Sequence, residues 1–474
     1  MNALISSLQR KLRKKPSASA RALVVDRSGA TYRTSDSEYP GSDLVAPEAM
    51  NGTMPLLLNP YSSPADPLAE SAAQTAKASS PLAKPAPLAE KQGGEKRFAF
   101  IDALRGLAAL GVAAYHIYRY GPLPGPASTI VPKFLGVVMR HGWMGVQVFF
   151  VISGFVIAYV LRNAKIDRGY LRTFTIQRAL RLGPPYWCTM LFVVALYTLT
   201  NALFIIEPSL LSEYPSWHQM AAHVFYLQNV LGYDNISVGF WTLCVEMQFY
   251  LLFALMLGFS QWLAARAPLA KLNSGTKWIP SIALLIVFAP LALASMFSFS
   301  LNSENTNWVF HFFAYFFLGA MIWWTMEGRL PKMLFWAFVA AALYRQHRHW
   351  TLDMNVALIA AVTIYVVGRL GHLGDWLNFR WLQYLGSISY SLYLIHYPIS
   401  WIVGSIGFEL TREAAVPAVI WLVLGLAASI GVAQVVHVTI ELPAIRLARR
   451  YKEAHSGVRT IAAIEPVVAT AAGR

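Results

Sequence analysis

The stretch FIDALRGLAALGVAAYHIY, Phe100–Tyr118, decides the fold. It is an almost continuous apolar run, close to the roughly 20 residues that a helix needs to cross a bilayer. Three ionisable side chains interrupt it: Asp102, Arg105 and His116. Arg105 and His116 are eleven residues apart, which at about 100° per residue is three turns and roughly 20°. Both therefore lie on one face, with a rise between them of about 16 Å, half the hydrocarbon thickness. Charged groups inside a span are costly and by default mark a site or a pathway. A cation near the mouth and an imidazole past the midplane predict a polar cavity running into the membrane. Either residue alone reads as a snorkelling arginine or a hydrogen-bonded core histidine. Together on one face they favour the cavity.

The rest of the chain agrees with a membrane protein. Of its 474 residues 56% are hydrophobic and 13% are charged, against about 25% charged in soluble domains. A soluble protein of this size could not bury that much apolar surface. Ten candidate spans follow from Phe98 on: 101–118, 143–161, 185–206, 241–259, 278–299, 308–326, 331–344, 353–368, 383–404 and 415–438. The seventh is the shortest. The stretch 217–231 is too polar for a span and reads as re-entrant or interfacial. The expected fold is an all-α polytopic membrane helix bundle of about ten transmembrane helices with a disordered N-terminal extension. Residues 1–97 are basic at the start and then rich in Ala, Pro, Ser and Gly, a composition that builds no packed core. Residues 98–450 form the membrane domain and 451–474 a tail.

The formal charge of +15 would ordinarily suggest nucleic acid or an anionic surface. The apolar excess argues against nucleic acid. The loop after the second span carries Arg162, Lys165, Arg168, Arg172, Arg178 and Arg181 against Asp167 alone. The loop 207–240 carries Glu207, Glu213 and Asp234 and neither Lys nor Arg. The positive-inside rule then puts both termini in the cytoplasm. Cys188 and Cys244 make no disulfide framework, and no metal-ligand spacing is present.

Three further places carry candidate chemistry. Arg178 and Arg181, in QRALRLGPPYW, are one helical turn apart and present two guanidinium forks to one patch, a geometry suited to phosphate. Plain topological anchoring is the competing reading. Glu246, in WTLCVEMQFYLL, lies in an apolar run with Tyr250 one turn on. A lone Glu there calls for a cation, from Arg105 or the basic loop, or for a proton. Ser389, Tyr393 and His396 form one stripe at i, i+4 and i+7, just before Pro398. Gly142, Gly145 and Gly154 allow close helix approach, and Gln147 and Ser153 read as ordinary packing. Glu441 and Pro443 close the last span.

These blocks resemble, in order, the integral-membrane acyltransferase family 3. DALRGLAALGVAAYH is similar to its basic-x10-His motif, GWMGVQVFFVISGF to its second-span block, and RALRLGPPYW to its R-x-x-R loop. WTLCVEMQFYLL and GSISYSLYLIHYP are similar to its two later blocks. The resemblance covers roughly residues 98–450. It implies a bacterial inner-membrane enzyme that moves an acyl group, most often acetyl from acetyl-CoA, to a hydroxyl of a glycan such as an exopolysaccharide or its lipid-linked precursor. No bound cofactor is implied; acyl-CoA is the donor substrate. On that footing His116, Arg105 and Glu246 are the expected catalytic residues, and Arg178 and Arg181 the expected acyl-CoA contacts. Asp102, Tyr250, Ser389, Tyr393 and His396 would support the cavity. No Gly-Asp-Ser block follows Glu441, so a form without an appended hydrolase domain is expected. A transporter or flippase for a lipid-linked sugar or acyl group is the main alternative, and a membrane scaffold acting through residues 1–97 is a third. Acyl-CoA cleavage with a sugar acceptor separates the enzyme from both.

Overall fold

Helix α1 (Ala99–Arg119) is the first predicted span. In lipid no water remains to satisfy backbone N–H and C=O groups, so an apolar run of this length closes its hydrogen bonds on itself. The computed structural model describes residues 97–120, 123–203, 210–211, 213–266, 279–302, 306–412 and 414–455. Of the leader expected over 1–97 and the tail expected over 451–474, residues 1–96 and 456–474 lie outside the described residues. Among the described residues there are helices and turns and no strand. After α1 come a short helix α2 (Lys133–Arg140), α3 (Gly145–Val160), the long α4 (Arg168–Leu203), α5 (Trp217–Val224) and α6 (Phe240–Ala265). Then follow α7 (Ile279–Phe297), α8 (Val309–Met326), α9 (Lys332–Arg348), α10 (Leu352–Arg369), α11 (Arg380–Thr411) and α12 (Ala415–Val436). A π-helical turn, His437–Glu441, leads into α13 (Leu442–His455).

Among the described residues, eight helices are long and apolar enough to cross a membrane. The predicted seventh and ninth spans, α9 and α11, fall outside that group. α9 has only 17 residues. α11 has 32 residues but carries Ser389, Ser391, Tyr393 and His396 among its buried side chains. It faces other helices rather than lipid, so it can be polar. Helix directions nevertheless require both to traverse the bundle. Arg97 donates to Gln383 Oε1 (2.9 Å) and His116 meets His396, so α1 and α11 are parallel. Trp421 packs on Gly407, and Ser429 Oγ donates to the His396 carbonyl, so α11 and α12 are antiparallel. Phe150 packs on Phe312 and Tyr159 on Trp323, so α3 and α8 are parallel. Met326 lies against Gly368, and Tyr315 faces Asp353, so α8 and α10 are also parallel. Parallel neighbours in sequence order need a crossing between them, which α9 and α11 supply. The start of α1 and the end of α12 thus share one end of the bundle, together with the basic loop before α4. We call this the basic end.

Without a hydrophobic force between helices in lipid, close packing holds such a bundle together. Gly154 and Gly319 let α3 and α8 touch backbone to backbone: a Cβ on either would overlap a carbonyl of the other helix, Phe316 for Gly154 and Val151 for Gly319. Gly142 and Gly145 do the same toward Gly111 and Ala108 of α1.

The polar stretch 217–231 is not a span. α5 is eight residues long, capped by Ser216 Oγ, which accepts from Gln219 N. The stretch wedges between α4 and α6: Trp187 Nε1 donates to the Val224 carbonyl and Gln228 Nε2 to the Phe240 carbonyl. His223 is fully buried there. Its Nδ1 donates to the Gln219 carbonyl (2.8 Å) and its Nε2 accepts from Ile236 N (3.2 Å). Burial holds its pKa down at about 4, below the ordinary value near 6.5. The unfolded segment therefore binds the proton first. Stability is full above about pH 6.5 and falls as the pH drops toward 4, by on the order of 3 kcal/mol in all. Limited proteolysis should cut the 217–240 segment faster at pH 4.5 than at pH 7. His223→Gln should flatten that dependence.

Candidate functional site

A chamber of about 110 Å³ opens within the basic half of the bundle. It brings together Arg105 from α1, Arg178 and Arg181 from α4, Glu246 and Tyr250 from α6, and Ser389 and Tyr393 from α11. Each comes from a separate apolar block, and the crossing of α1, α4, α6 and α11 turns them toward one space. Arg178 is held by ring contacts, its Cζ lying 4.5 Å from the Tyr250 centroid and 5.3 Å from that of Phe174. Arg105, Arg178 and Glu441 are charged groups that Arg181 faces. Three guanidinium groups stand against two carboxylates in the lining, so the chamber suits an anionic ligand.

Glu246 does not have the arginine partner expected from the sequence. Among the described residues no cation lies within ion-pair distance of it. Ser153 Oγ donates to Glu246 Oε1 (2.8 Å), and the Tyr250 hydroxyl donates to the same oxygen. Ser153, read from the sequence as ordinary packing, is thus a cavity residue, next to the crossing glycine Gly154 of α3. Tyr393 Oη donates to Thr242 Oγ1 (2.7 Å), whose own hydroxyl donates to the Gly239 carbonyl. Ser389 Oγ donates to the Gly386 carbonyl within α11. Replacing Glu246 with Gln keeps the shape but turns a pure acceptor into a half-donor facing two hydroxyls. The expected result is a loss of the chain's activity of about tenfold or more, with the melting temperature of the purified chain nearly unchanged.

Glu441 is a second cavity acid that sequence reasoning placed only at the end of the last span. The π-helical turn carries it inward, as π-bulges often do at functional sites. Its Oε2 accepts from Ser391 Oγ (2.6 Å) and lies 2.9 Å from His437 Nδ1. The signal was there: an acid in the apolar ELP, four residues after a histidine.

His116 and His396 are not in the lining of this chamber. His116 borders a second, much smaller cavity, of about 20 Å³, toward the opposite end of the bundle, between α1, α11 and α12. His396 Nε2 lies 3.0 Å from His116 Nδ1. His396 Nδ1 is 3.1 Å from the Leu392 carbonyl, and His116 Nδ1 is 2.9 Å from the Val112 carbonyl. One proton arrangement satisfies all three contacts. His396 Nδ1–H donates to Leu392, its Nε2 accepts, and His116 Nδ1–H is shared between Val112 and His396. That leaves His116 Nε2 unprotonated, which is the state a general base needs. Tyr393, in the large chamber, is 6.1 Å ring to ring from His396. The two chambers are therefore successive along α11, with the histidine pair at their junction. Asp102 lies in neither lining. It pairs with Arg97 (3.4 Å) at the basic end, because the α1–α11 crossing at Gly386 takes up its backbone.

A family model described as an acyltransferase domain matches residues 98–438. The peptidoglycan O-acetyltransferase OatA of Listeria monocytogenes is 24% identical over 324 residues, which is 63% of this chain and 49% of that protein. "Putative O-acetyltransferase SACOL0978" of Staphylococcus aureus is 24% identical over 337 residues, 63% of this chain and 50% of its own. "Putative peptidoglycan O-acetyltransferase YrhL" of Bacillus subtilis is 24% identical over 328 residues, with 63% and 48% covered. The chain spans about half the length of these curated relatives. No solved structure matches.

Proposed function

The chain belongs to the integral-membrane acyltransferase family 3, and from that membership we propose that it is a membrane O-acyltransferase, moving an acetyl group from acetyl-CoA to a sugar hydroxyl of a cell-surface glycan. The relatives' names support an acetyl group and make peptidoglycan sugars the first acceptors to try. The observation that carries the proposal is the arginine-lined chamber on one side of the His116–His396 pair, with a smaller cavity bordered by His116 on the other. In this reading the basic end faces the cytoplasm of a bacterial inner membrane, an orientation that the positive-inside pattern supports. Acetyl-CoA would approach there, its phosphates held by Arg178 and Arg181. Its adenosine-phosphate part is too polar for the bilayer, so only the pantetheine arm would enter the large chamber and carry the thioester toward the junction.

The acceptor would come from the other side. Its hydroxyl oxygen attacks the thioester carbonyl carbon while His116 Nε2 takes the hydroxyl proton. The C–S bond then breaks, and the departing thiolate takes that proton, giving the ester and free CoA. His396 acts through His116: its lone pair fixes which nitrogen of His116 bears hydrogen. Arg105 lines the donor chamber, and we assign it to holding the donor.

Purified chain given labelled acetyl-CoA and soluble peptidoglycan fragments should yield labelled sugar ester. Absence of acetyl-CoA cleavage with every glycan acceptor would remove the proposal in favour of transport. Arg178→Ala and Arg181→Ala should each raise the KM for acetyl-CoA by about 10- to 100-fold, the worth of a charge-assisted contact. kcat should change much less, and added salt should mimic the loss.

A further inference from the structure

Glu441 reaches the large chamber from a turn that is not α-helical. A π turn holds one extra residue, which changes the face that its side chains present. The turn His437–Glu441, between α12 and α13, brings a carboxylate among side chains of α1, α4, α6 and α11. That carboxylate is anchored. Its Oε2 takes donors from two elements: Ser391 Oγ of α11 (2.6 Å), and His437 Nδ1 one turn back (2.9 Å). Ser391, His437 and Glu441 are all buried.

Arg105, Arg178 and Arg181 share the lining with Glu441 and Glu246. Yet among the described residues none of the three arginines lies within ion-pair distance of either acid. Arg181 faces Glu441 without touching it. The ordinary outcome in a space of low dielectric is the opposite: a guanidinium and a carboxylate close into a bidentate pair. Ser391 and His437 hold the carboxylate back from that. Its charge therefore acts across the chamber and not through a contact. An anion drawn in by the arginines meets Glu441 as a like charge. With Glu441 the lining sets three positive groups against two negative; without it, three against one. A site built only to hold an anion tightly gains nothing from a second carboxylate. A site that must also release its anion does.

We propose that Glu441 sets how tightly the chamber holds an anion: kept off the arginines by Ser391 and His437, it weakens anion binding and lets the ligand leave. That the anion belongs to acetyl-CoA rests on the acyl-transfer reading; the charge balance does not.

The test titrates the purified full-length chain with inorganic pyrophosphate, and separately with CoA, by calorimetry at low salt. Glu441→Gln keeps the side chain's shape, and its amide oxygen still accepts from Ser391 and His437. It should bind pyrophosphate about tenfold more tightly than wild type. Added salt should shrink that gap. Glu441→Asp keeps the charge and should not tighten binding. Asp375→Asn removes the same charge from an exposed position before α11 and should bind as wild type. Should Glu441→Gln fail to fold, Arg181→Gln is compared with Arg181→Gln/Glu441→Gln, which leaves no unmatched charge; the double variant should bind more tightly. Wild type that binds no pyrophosphate, or folded Glu441→Gln with unchanged or weaker binding, overturns the proposal. So does equal tightening in Asp375→Asn. CoA separates the two readings. Pyrophosphate binding tightened by Glu441→Gln, with no CoA binding in any sample, keeps the role of Glu441 and removes acetyl-CoA as the donor. Where CoA binds, it should tighten in Glu441→Gln together with pyrophosphate, and weaker CoA binding there would overturn the proposal.

Discussion

His116→Ala in the purified chain is expected to cut acetyl transfer by about 100- to 10,000-fold, the usual worth of a positioned general base. The expectation follows from the proton arrangement at the chamber junction. His116 Nδ1 is committed to the Val112 carbonyl and to His396 Nε2, so Nε2 is the lone pair left for an acceptor proton. Its neighbours are rings rather than charges: Tyr120 stacks at 5.7 Å and Tyr397 meets it edge-on at 6.1 Å. Loss of the imidazole should lower kcat and leave the KM for acetyl-CoA almost unchanged, because Arg178 and Arg181, the proposed donor contacts, line the other chamber. His396→Ala should cost less. It frees His116 Nδ1 from one partner but leaves the Val112 contact, so the base survives with a looser orientation. Equal and complete loss in both variants would mean that the two rings act as one unit. Wild-type turnover in His116→Ala would end the general-base assignment.

Gly154→Val should yield no stably folded protein. A Cβ at Gly154 already overlaps the Phe316 carbonyl, and the reciprocal position, Gly319, presses on the Val151 carbonyl. Backbone cannot turn away as a flexible side chain can, so α3 and α8 would have to separate. Phe150, Phe155 and Tyr159 of α3 pack on Phe312, Phe316 and Trp323 of α8 through the same crossing. Overpacking of this kind costs more than about 3 kcal/mol. The measurement is the yield of monodisperse protein in detergent and its melting temperature. Gly431→Ala, on open helix surface, should change stability by about 1 kcal/mol in the opposite direction. A well-folded Gly154→Val would show that the α3–α8 crossing is looser than described.

Much of the site was legible because a charge or polar stripe in an apolar run has few explanations. Arg105, Glu246, Tyr250, Ser389 and Tyr393 each stood out on their own helix, and the structure brings them together with Arg178 and Arg181. Partnership across helices was not legible. Glu246 is satisfied by Ser153 and Tyr250 rather than by an arginine, and only the α3–α6 packing could show that. Glu441 and His437 escaped because a π turn changes which face a residue presents, and one extra residue in a turn leaves no mark on composition. The spacing in α1 gave the rise between Arg105 and His116 but not the closing of the space between them. That depends on Tyr393 and the histidine pair, contributed by α11 from some 280 positions away. The eight clearly apolar helices were plain in the sequence. α11 was harder to place by hydropathy for the same reason that it matters: its polar stripe faces both chambers.

In the proposed reaction, donor and acceptor enter from opposite ends and meet at the histidine pair. The most direct measurement uses proteoliposomes holding the chain in one orientation, with acetyl-CoA sealed on one side and chitotriose on the other. Acetylated chitotriose should form only when acetyl-CoA is on the side of Arg178 and Arg181, and none when the two substrates are exchanged. Transfer only when both substrates share a side would contradict it.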